Sequence, residues 1–168
     1  MSEEIKWQGQ FITAKTNGKW EYVSRSRGIK AAVILAVEND LVLLVEQYRV
    51  PLGQNCIELP AGLIGDETQG EDPLVAAGRE LEEETGYRAA TLADIGSFHS
   101  SPGMVSESFT LVRATGLTQV SQGGGVDGED ITVHRVKLGK VGEFIDTKRA
   151  EGCAIDVKLL MLPGVAGL

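Results

Sequence analysis

Three glutamates, Glu80, Glu83 and Glu84, stand at positions i, i+3 and i+4 of the chain. On an α-helix, at about 100° per residue, they fall on one face within an arc of roughly 100°. Like charges at this spacing destabilise a helix, and a cation bridging them would remove the cost. Because hard cations such as Mg²⁺ prefer carboxylate oxygens, the pattern predicts either a metal site or a solvated acidic helix face.

The helix that would carry these carboxylates is predicted over Pro73–Thr85. Asp72 suits the N-cap, Pro73 suits the first helical position, and Gly86 suits the position just past the end. A packing stripe at helical spacing is predicted on the face away from the carboxylates, formed by Leu74, Ala77, Gly78, Leu81 and Thr85.

The rest of the chain reads mainly as strands. An N-terminal antiparallel β-hairpin is predicted over 8–15 and 20–26 with its turn at Asn17-Gly18, and a central hairpin over 31–37 and 41–46. Residues 56–59 form a strand before a Pro60-Ala61-Gly62 turn. Further strands are predicted at 91–98, 108–115 and 131–137, and helices at 141–150 and 155–161. This order predicts an α/β (α+β) sandwich around a mixed sheet.

Charge and composition exclude several function classes. The 168 residues carry a net charge of −8, which argues against nucleic acid as a partner. We expect no membrane span, because no apolar run reaches about 18 residues. The N-terminus lacks an apolar signal core, so a cytoplasmic protein is expected. Cys56 and Cys153 lack metal-type spacing and are expected to be reduced.

The segment 65–87 resembles the signature box of the Nudix hydrolase family. The matching positions are Gly65, Glu71, Arg79, Glu80, Leu81, Glu83, Glu84, Gly86 and Tyr87. The resemblance implies a Nudix-type α/β/α sandwich over 29–168, preceded by a hairpin region over 1–28 that dimerises. In the branch of the family that cleaves ADP-ribose, the Gly of Pro-Ala-Gly usually begins the box. Here Gly62 comes three residues too early and Gly65 satisfies the spacing.

The resemblance also implies roles around a Mg²⁺ site, with Mn²⁺ as an alternative. Glu80, Glu84 and the carbonyl of Ala61 would bind metal, with Glu83 a ligand or a supporting neighbour. Arg79 would hold the helix and its carboxylates in place, and Glu71 would orient either Arg79 or the loop. Two or three ions would neutralise a diphosphate, polarise phosphorus and activate water.

Motifs outside the box resemble the ADP-ribose pyrophosphatase subgroup. Pro102 and Gly103 lie on a loop that ends at Glu107, where the subgroup often carries its catalytic base; Glu83 is the alternative base. Arg49, in Glu46-Gln47-Tyr48-Arg49, is a candidate for the diphosphate, with Glu46 beside it.

The resemblance implies that the N-terminal hairpin crosses to a partner subunit and helps to grip the base of the substrate, in a homodimer with exchanged N-terminal strands. Trp20, Tyr22 and Arg27 would make these contacts, and packing within the fold is the alternative for the two aromatic residues. Glu129 fits a further subgroup pattern and would touch metal or the partner's site, or lie on a solvated loop.

The resemblance implies Mg²⁺-dependent hydrolysis of a nucleoside diphosphate linked to another moiety, with ADP-ribose, cut to AMP and ribose 5-phosphate, as the expected substrate. GDP-mannose or another nucleotide sugar is the alternative substrate. A non-catalytic Nudix module that senses a nucleotide, and a plain acidic scaffold domain, are the alternatives to an enzyme. His99 and His134 are read as structural.

Overall fold

The fold is described from a computed structural model over residues 2–26, 29–65, 70–126 and 128–162. The strands are β1 (Glu3–Gln8), β2 (Ile12–Asn17), β3 (Trp20–Arg25), β4 (Lys30–Glu38), β5 (Leu41–Arg49), β6 (Gln54–Glu58), β7 (Ala61–Ile64), β8 (Tyr87–His99), β9 (Ser108–Gln119), β10 (Thr132–Lys137) and β11 (Ala154–Ile155). The α-helices are α1 (Pro73–Thr85) and α2 (Val141–Ala150). Where a second C-terminal α-helix was predicted, Val157–Met161 forms a 3-10 helix.

The N-terminal region is a three-stranded antiparallel sheet in the order β1-β2-β3. The predicted hairpin forms as β2 and β3, and β1 adds a third strand whose residues are all exposed. A strand that buries nothing leaves no burial pattern in the sequence. The β2–β3 turn consists of Gly18, with φ 61°, and Lys19, because Asn17 already pairs with Trp20.

The large sheet has the order β11-β6-β5-β4-β9-β8, with β10 added to β5 and β7 to β4. It is mixed, since β4 runs parallel to β9 and β6 parallel to β11. The predicted central hairpin forms at the Asn39-Asp40 turn, where both residues have positive φ. However, β4 and β5 pair only next to that turn and then diverge to different neighbours.

The two faces of the sheet carry separate cores. Alternate residues of β4 supply them: Ile34 packs with Leu81 of α1, whereas Leu35 packs with Ile145 of α2. A strand projects successive side chains to opposite faces, so both helices are supported by one buried strand. The predicted α/β/α sandwich with a mixed sheet is confirmed. Within the described residues, no helix is long and apolar enough to cross a membrane.

Candidate active site

Helix α1 has the predicted bounds and caps. The Asp72 side chain accepts a hydrogen bond from the Leu74 N–H at 2.8 Å. Gly86 adopts a left-handed φ of 75° and donates its N–H to the Glu82 carbonyl at 2.9 Å. Ala77 and Leu81 are fully buried against the sheet. These contacts set the rotation of the helix and therefore the direction in which its carboxylates point.

A cleft of about 410 Å³ opens where β4 and β5 diverge. It is lined by Arg25, Ala31, Gln47, Arg49, Ala61, Gly62, Leu63, Glu80, Glu84 and Glu129. Two of the three helix glutamates thus face one concave surface together with a candidate diphosphate-binding arginine. Glu83 lies instead beside a neighbouring pocket lined by Arg79, Ser121 and Val126.

The predicted turn at Pro60-Ala61-Gly62 was wrong, since Ala61 and Gly62 begin strand β7. Gly62 pairs with Ala32 of β4. A β-carbon at Gly62 would lie 1.8 Å from the Glu80 Cδ atom. Glycine here therefore marks a close approach between strand and side chain, as it does elsewhere inside strands.

Glu84 is a carboxyl group buried to 4% exposure at the floor of this cleft. Burial, together with the nearby carboxylates of Glu80 and Glu129, raises its pKa to about 8. The Ala61 N–H, which donates to Glu84 Oε2 at 3.0 Å, opposes that shift. A metal cation bound in the cleft would compensate the ionised form of this group, in addition to the charge of Arg49.

Arg79 binds acidic groups rather than facing the cleft. Its Nη1 lies 3.0 Å from Glu80 Oε1 and 3.1 Å from Glu83 Oε2. Its Nε lies 3.7 Å from Glu71 Oε1, and Glu71 also accepts a hydrogen bond from the Gly65 N–H at 3.3 Å. These contacts fit the predicted positioning role of Arg79 and of Glu71.

Glu58 is a functional candidate that the sequence analysis missed. This glutamate at the end of β6 is buried, and it binds Arg49 through two parallel hydrogen bonds of 2.6 and 2.7 Å. The hydrogen bonds to Glu58 raise the pKa of Arg49, and they outweigh the opposite effect of burial. A charged residue inside the apolar run 56–59 was the available signal.

Glu46, which was predicted to contact the substrate, is not among the residues that line the cleft. Successive β5 residues face opposite sides, so Gln47 and Arg49 line the cleft while Glu46 points toward α2. There it accepts hydrogen bonds from Asn55 and His134 at 2.9 Å and binds Lys148 at 3.0 Å. Burial disfavours its charge, but these three partners prevail and lower its pKa to about 2.

We expect Glu46→Gln to destabilise the protein at pH 7 by about 3 kcal/mol and to leave turnover nearly unchanged. A carboxyl group whose pKa is lower in the folded protein than in the unfolded chain stabilises the folded state at pH values above its ordinary pKa of 4.5. That stabilisation disappears as the pH falls toward 2. Urea unfolding at pH 7, with exposed Glu143→Gln as the control, measures the loss. A fall in kcat/KM without a loss of stability would return Glu46 to the substrate site.

Glu107 is engaged by the N-terminal sheet. It forms an ion pair with Arg25 of β3, and Arg25 itself lines the cleft. The loop before Glu107 pairs with β3 of the same chain: Val23 donates to Met104 and accepts from Ser106, both at 2.9 Å. Glu107 is thus joined to the cleft through Arg25, and is not itself among the residues lining it.

Four predicted substrate contacts meet in a second cleft, of about 420 Å³, between β3 and this loop. Trp20 and Tyr22 stand on one wall, and Pro102 and Gly103 on the other. Trp20 is 65% exposed, so its ring is open to a ligand. Arg27, the fifth contact predicted in this part of the chain, lies outside the described residues.

Glu129 enters the cleft on a glycine-rich loop that is attached to the end of α1. The Gly124 N–H donates to the Glu84 carbonyl at 2.9 Å, and the Gly125 N–H donates to the Glu83 carbonyl at 3.0 Å. These bonds satisfy carbonyls that the end of a helix leaves without partners. They fix the loop beside the carboxylates.

The donor set fits a magnesium-type cation. Glu80 and Glu84 supply two carboxylates, and the buried charge of Glu84 needs compensation. Within the described ranges, no three acidic, histidine or cysteine side chains surround one point closely enough to hold an ion as they stand. Mg²⁺ commonly takes one or two carboxylates and completes its shell with water and substrate phosphate.

A family model described as the NUDIX domain matches residues 27–148. The chain belongs to the Nudix family. This Nudix chain is 38% identical to a methanol dehydrogenase activator of Bacillus methanolicus over 76% of its own length and 67% of the relative's. It is 32% identical to the ADP-ribose pyrophosphatase of Bacillus subtilis over 70% of its own length and 62% of that protein's.

Two further comparisons agree with the family. The chain is 33% identical to the GDP-mannose pyrophosphatase of Cronobacter sakazakii, over 81% of its own length and 72% of that enzyme's. A crystal structure of an ADP compounds hydrolase superposes with a TM-score of 0.71 and 24% identity, covering 96% of this chain and 89% of that one. That superposition shows the same fold, and the family makes the protein an enzyme of the Nudix hydrolase type.

Proposed function

We propose that this Nudix enzyme hydrolyses the diphosphate of a nucleotide sugar and that ADP-ribose, cut to AMP and ribose 5-phosphate, is its substrate. The observation that carries the proposal is the cleft in which Glu80 and Glu84 face Arg49. Carboxylates that hold a cation and a guanidinium that binds phosphate oxygens are the two requirements for a diphosphate. Similarity to ADP-ribose pyrophosphatases supports the choice of nucleotide.

Mg²⁺ or Mn²⁺ would be held by Glu80, Glu84 and the Ala61 carbonyl, and when bound it would neutralise the diphosphate and polarise phosphorus. Arg49, held by Glu58, binds the diphosphate oxygens. Arg79 orients Glu80 and Glu83.

A carboxylate outside the metal set takes the proton of the attacking water, because metal ligands bind protons poorly. Glu107 is the base that the sequence predicts. The geometry supports Glu129 better, since Glu129 lines the cleft and Glu107 is bound to Arg25.

The second cleft would hold the nucleobase between Trp20 and Tyr22 on one side and Pro102 and Gly103 on the other.

We expect Trp20→Ala to raise the KM for ADP-ribose about tenfold or more and to leave kcat within a factor of about three. The reason is that stacking of a base on an aromatic ring is worth about 1–3 kcal/mol and acts on substrate binding. Steady-state kinetics measures both constants. Lys19→Ala, one residue away in the β2–β3 turn, is the control, and an unchanged KM in Trp20→Ala would remove the base from this cleft.

A panel of ADP-ribose, GDP-mannose and other nucleotide sugars, assayed with Mg²⁺, with Mn²⁺ and with a chelator, tests the activity. We expect AMP and ribose 5-phosphate from ADP-ribose and no turnover with the chelator. Faster cleavage of GDP-mannose would favour the second candidate, which the similarity to a GDP-mannose pyrophosphatase supports. Binding without cleavage of any of them would identify a sensor.

We propose a homodimer formed through the N-terminal region, residues 1–28, which contains the sheet of β1, β2 and β3, with residues 29–168 as the hydrolase domain. Ile5, Trp7 and Phe11 of that sheet are all more than half exposed, which is costly for an isolated chain. If the strands are exchanged, β3 would form the same hydrogen bonds with the loop before Glu107, but that loop would belong to a second copy of the chain. Light scattering of the full chain should give twice the monomer mass, and a monomer would refute the dimer. The cytoplasmic location stays a prediction.

A further inference from the structure

We infer that Gly125 is a positioning residue: its missing side chain leaves the space in which the Glu129 carboxylate is held facing the cleft. This rests on the proposed function, and specifically on Glu129 as the base. Gly125 adopts a left-handed φ of 83° and lies inside the loop that joins β9 to β10.

The space around Gly125 is occupied by Glu129 and by the side chain of Ile131, whose Cδ1 atom would lie 3.0 Å from a β-carbon built on Gly125. A β-carbon built on Gly125 would lie 2.6 Å from Glu129 Oε2 and 2.7 Å from Glu129 Cβ. Rotation of the side chain could move the oxygen away. It could not move the Cβ atom, which is fixed to the backbone, so any residue other than glycine must displace the loop around Glu129.

Backbone hydrogen bonds hold the described part of the loop on both sides of Gly125. On one side Gly125 is tied to α1 through the Glu83 carbonyl, and Gly124 is tied to the Glu84 carbonyl. On the other side the Ile131 N–H donates to the Gly124 carbonyl at 3.2 Å, and Ile131 is buried. A shift at Gly125 is therefore passed to Glu129, whose carboxylate is also bound by the Val126 N–H at 3.3 Å.

The consequence is that the helix bearing Glu80 and Glu84 also sets the position of the carboxylate opposite them. The carbonyls of Glu83 and Glu84 hold the loop, and the absence of a side chain at Gly125 lets Glu129 fold against it. The metal-binding carboxylates and the base would thus keep a constant separation through one set of backbone hydrogen bonds.

Gly128 offers a matched control. It lies in the same loop with nearly the same left-handed φ, 88°, but nothing lies within 4 Å of a β-carbon built there. Alanine at either position pays a similar conformational cost, because both need positive φ. Only Gly125→Ala pushes against Glu129.

The test compares Gly125→Ala, Gly128→Ala, Glu129→Gln and the double variant Gly125→Ala/Glu129→Gln in the full chain with ADP-ribose and Mg²⁺. We expect Gly125→Ala to lower kcat at least about tenfold with little change in KM, and Gly128→Ala to keep kcat within a factor of about two. Both variants should lose melting temperature through strain at positive φ, and Gly125→Ala should lose more because its β-carbon also displaces its neighbours. The double variant should be no slower than Glu129→Gln, because both changes impair the same group, the Glu129 carboxylate.

Several results would overturn the inference. Equal kcat values for the two alanine variants, or a Gly125→Ala effect that persists in full on the Glu129→Gln background, would refute the positioning role and leave the proposed hydrolysis intact. Normal turnover of Glu129→Gln would remove the base that Gly125 is inferred to position. Absence of hydrolysis by the wild-type chain would refute the proposed function and the inference together.

Discussion

Replacing Glu84 by glutamine is expected to lower kcat at least about 100-fold while making the metal-free protein more stable at alkaline pH. The loss of activity follows from removing a carboxylate proposed to bind the cation, an effect larger than the 10–100-fold typical of residues that support a ligand. The gain in stability follows from removing a charge that the fold buries at 4% exposure.

The pH dependence has a definite sign. The folded pKa of Glu84, about 8, lies above its ordinary value of 4.5. Between these values the folded protein keeps a proton that the unfolded chain releases, so the stability of the metal-free protein falls as the pH rises through this window. Above about pH 8 the loss is complete. Glu84→Gln removes this part of the pH dependence, and it should therefore exceed the wild type in melting temperature at pH 9.

Added Mg²⁺ should reverse the order of stability. A cation that binds the folded state alone raises the melting temperature, and it competes with the proton on Glu84, so its effect on the wild type should grow with pH. Melting curves at pH 6 and pH 9, with and without Mg²⁺, measure this. The control is Glu82→Gln on the same helix, where the glutamate is only partly buried and is paired with Arg88 at 2.8 Å. Near-normal turnover of Glu84→Gln would end the ligand assignment.

The second large effect is expected for the base. Glu129→Gln should lower kcat by roughly 10²–10⁴-fold, because a positioned proton acceptor contributes about that much. The variant should bind Mg²⁺ as the wild type does, since Glu80 and Glu84 are untouched.

The variant Glu107→Gln distinguishes between Glu107 and Glu129 as the catalytic base. It breaks the ion pair with Arg25, which lines the cleft, and we expect it to change kcat by less than about tenfold. Single-turnover hydrolysis of ADP-ribose, measured alongside Mg²⁺ titration, distinguishes slow chemistry from poor binding. The opposite result, a severe loss in Glu107→Gln and a mild one in Glu129→Gln, would assign the base to Glu107.

Local sequence signals were sufficient for the two α-helices. Helix α1 begins at Pro73 and ends at Thr85 as predicted, because the Asp72 cap, the proline at the first position and Gly86 act within one turn of the helix ends. The shared face of Glu80 and Glu84 follows from helical periodicity alone.

The strands show where local signals stop. Alternation places Arg49 and Glu46 on opposite faces of β5, but it does not say which face meets α1 and which meets α2. The course of β7 was also hidden, because Ala61-Gly62 reads as a turn until β4 is seen to pair with it. Both depend on which strands become neighbours, a choice made by contacts distant in sequence.

The chain's order of residues therefore specified the helix, its caps and the spacing of its carboxylates, since each of these is settled among residues within about one turn of one another. The folded chain supplied the rest of the site. Glu58 meets Arg49 across a strand pair, and Glu129 reaches the cleft because a loop some 40 residues after α1 binds the carbonyls at the helix end. Such meetings depend on which strands and loops pack against one another, so the pattern within a single helix or strand does not predict them.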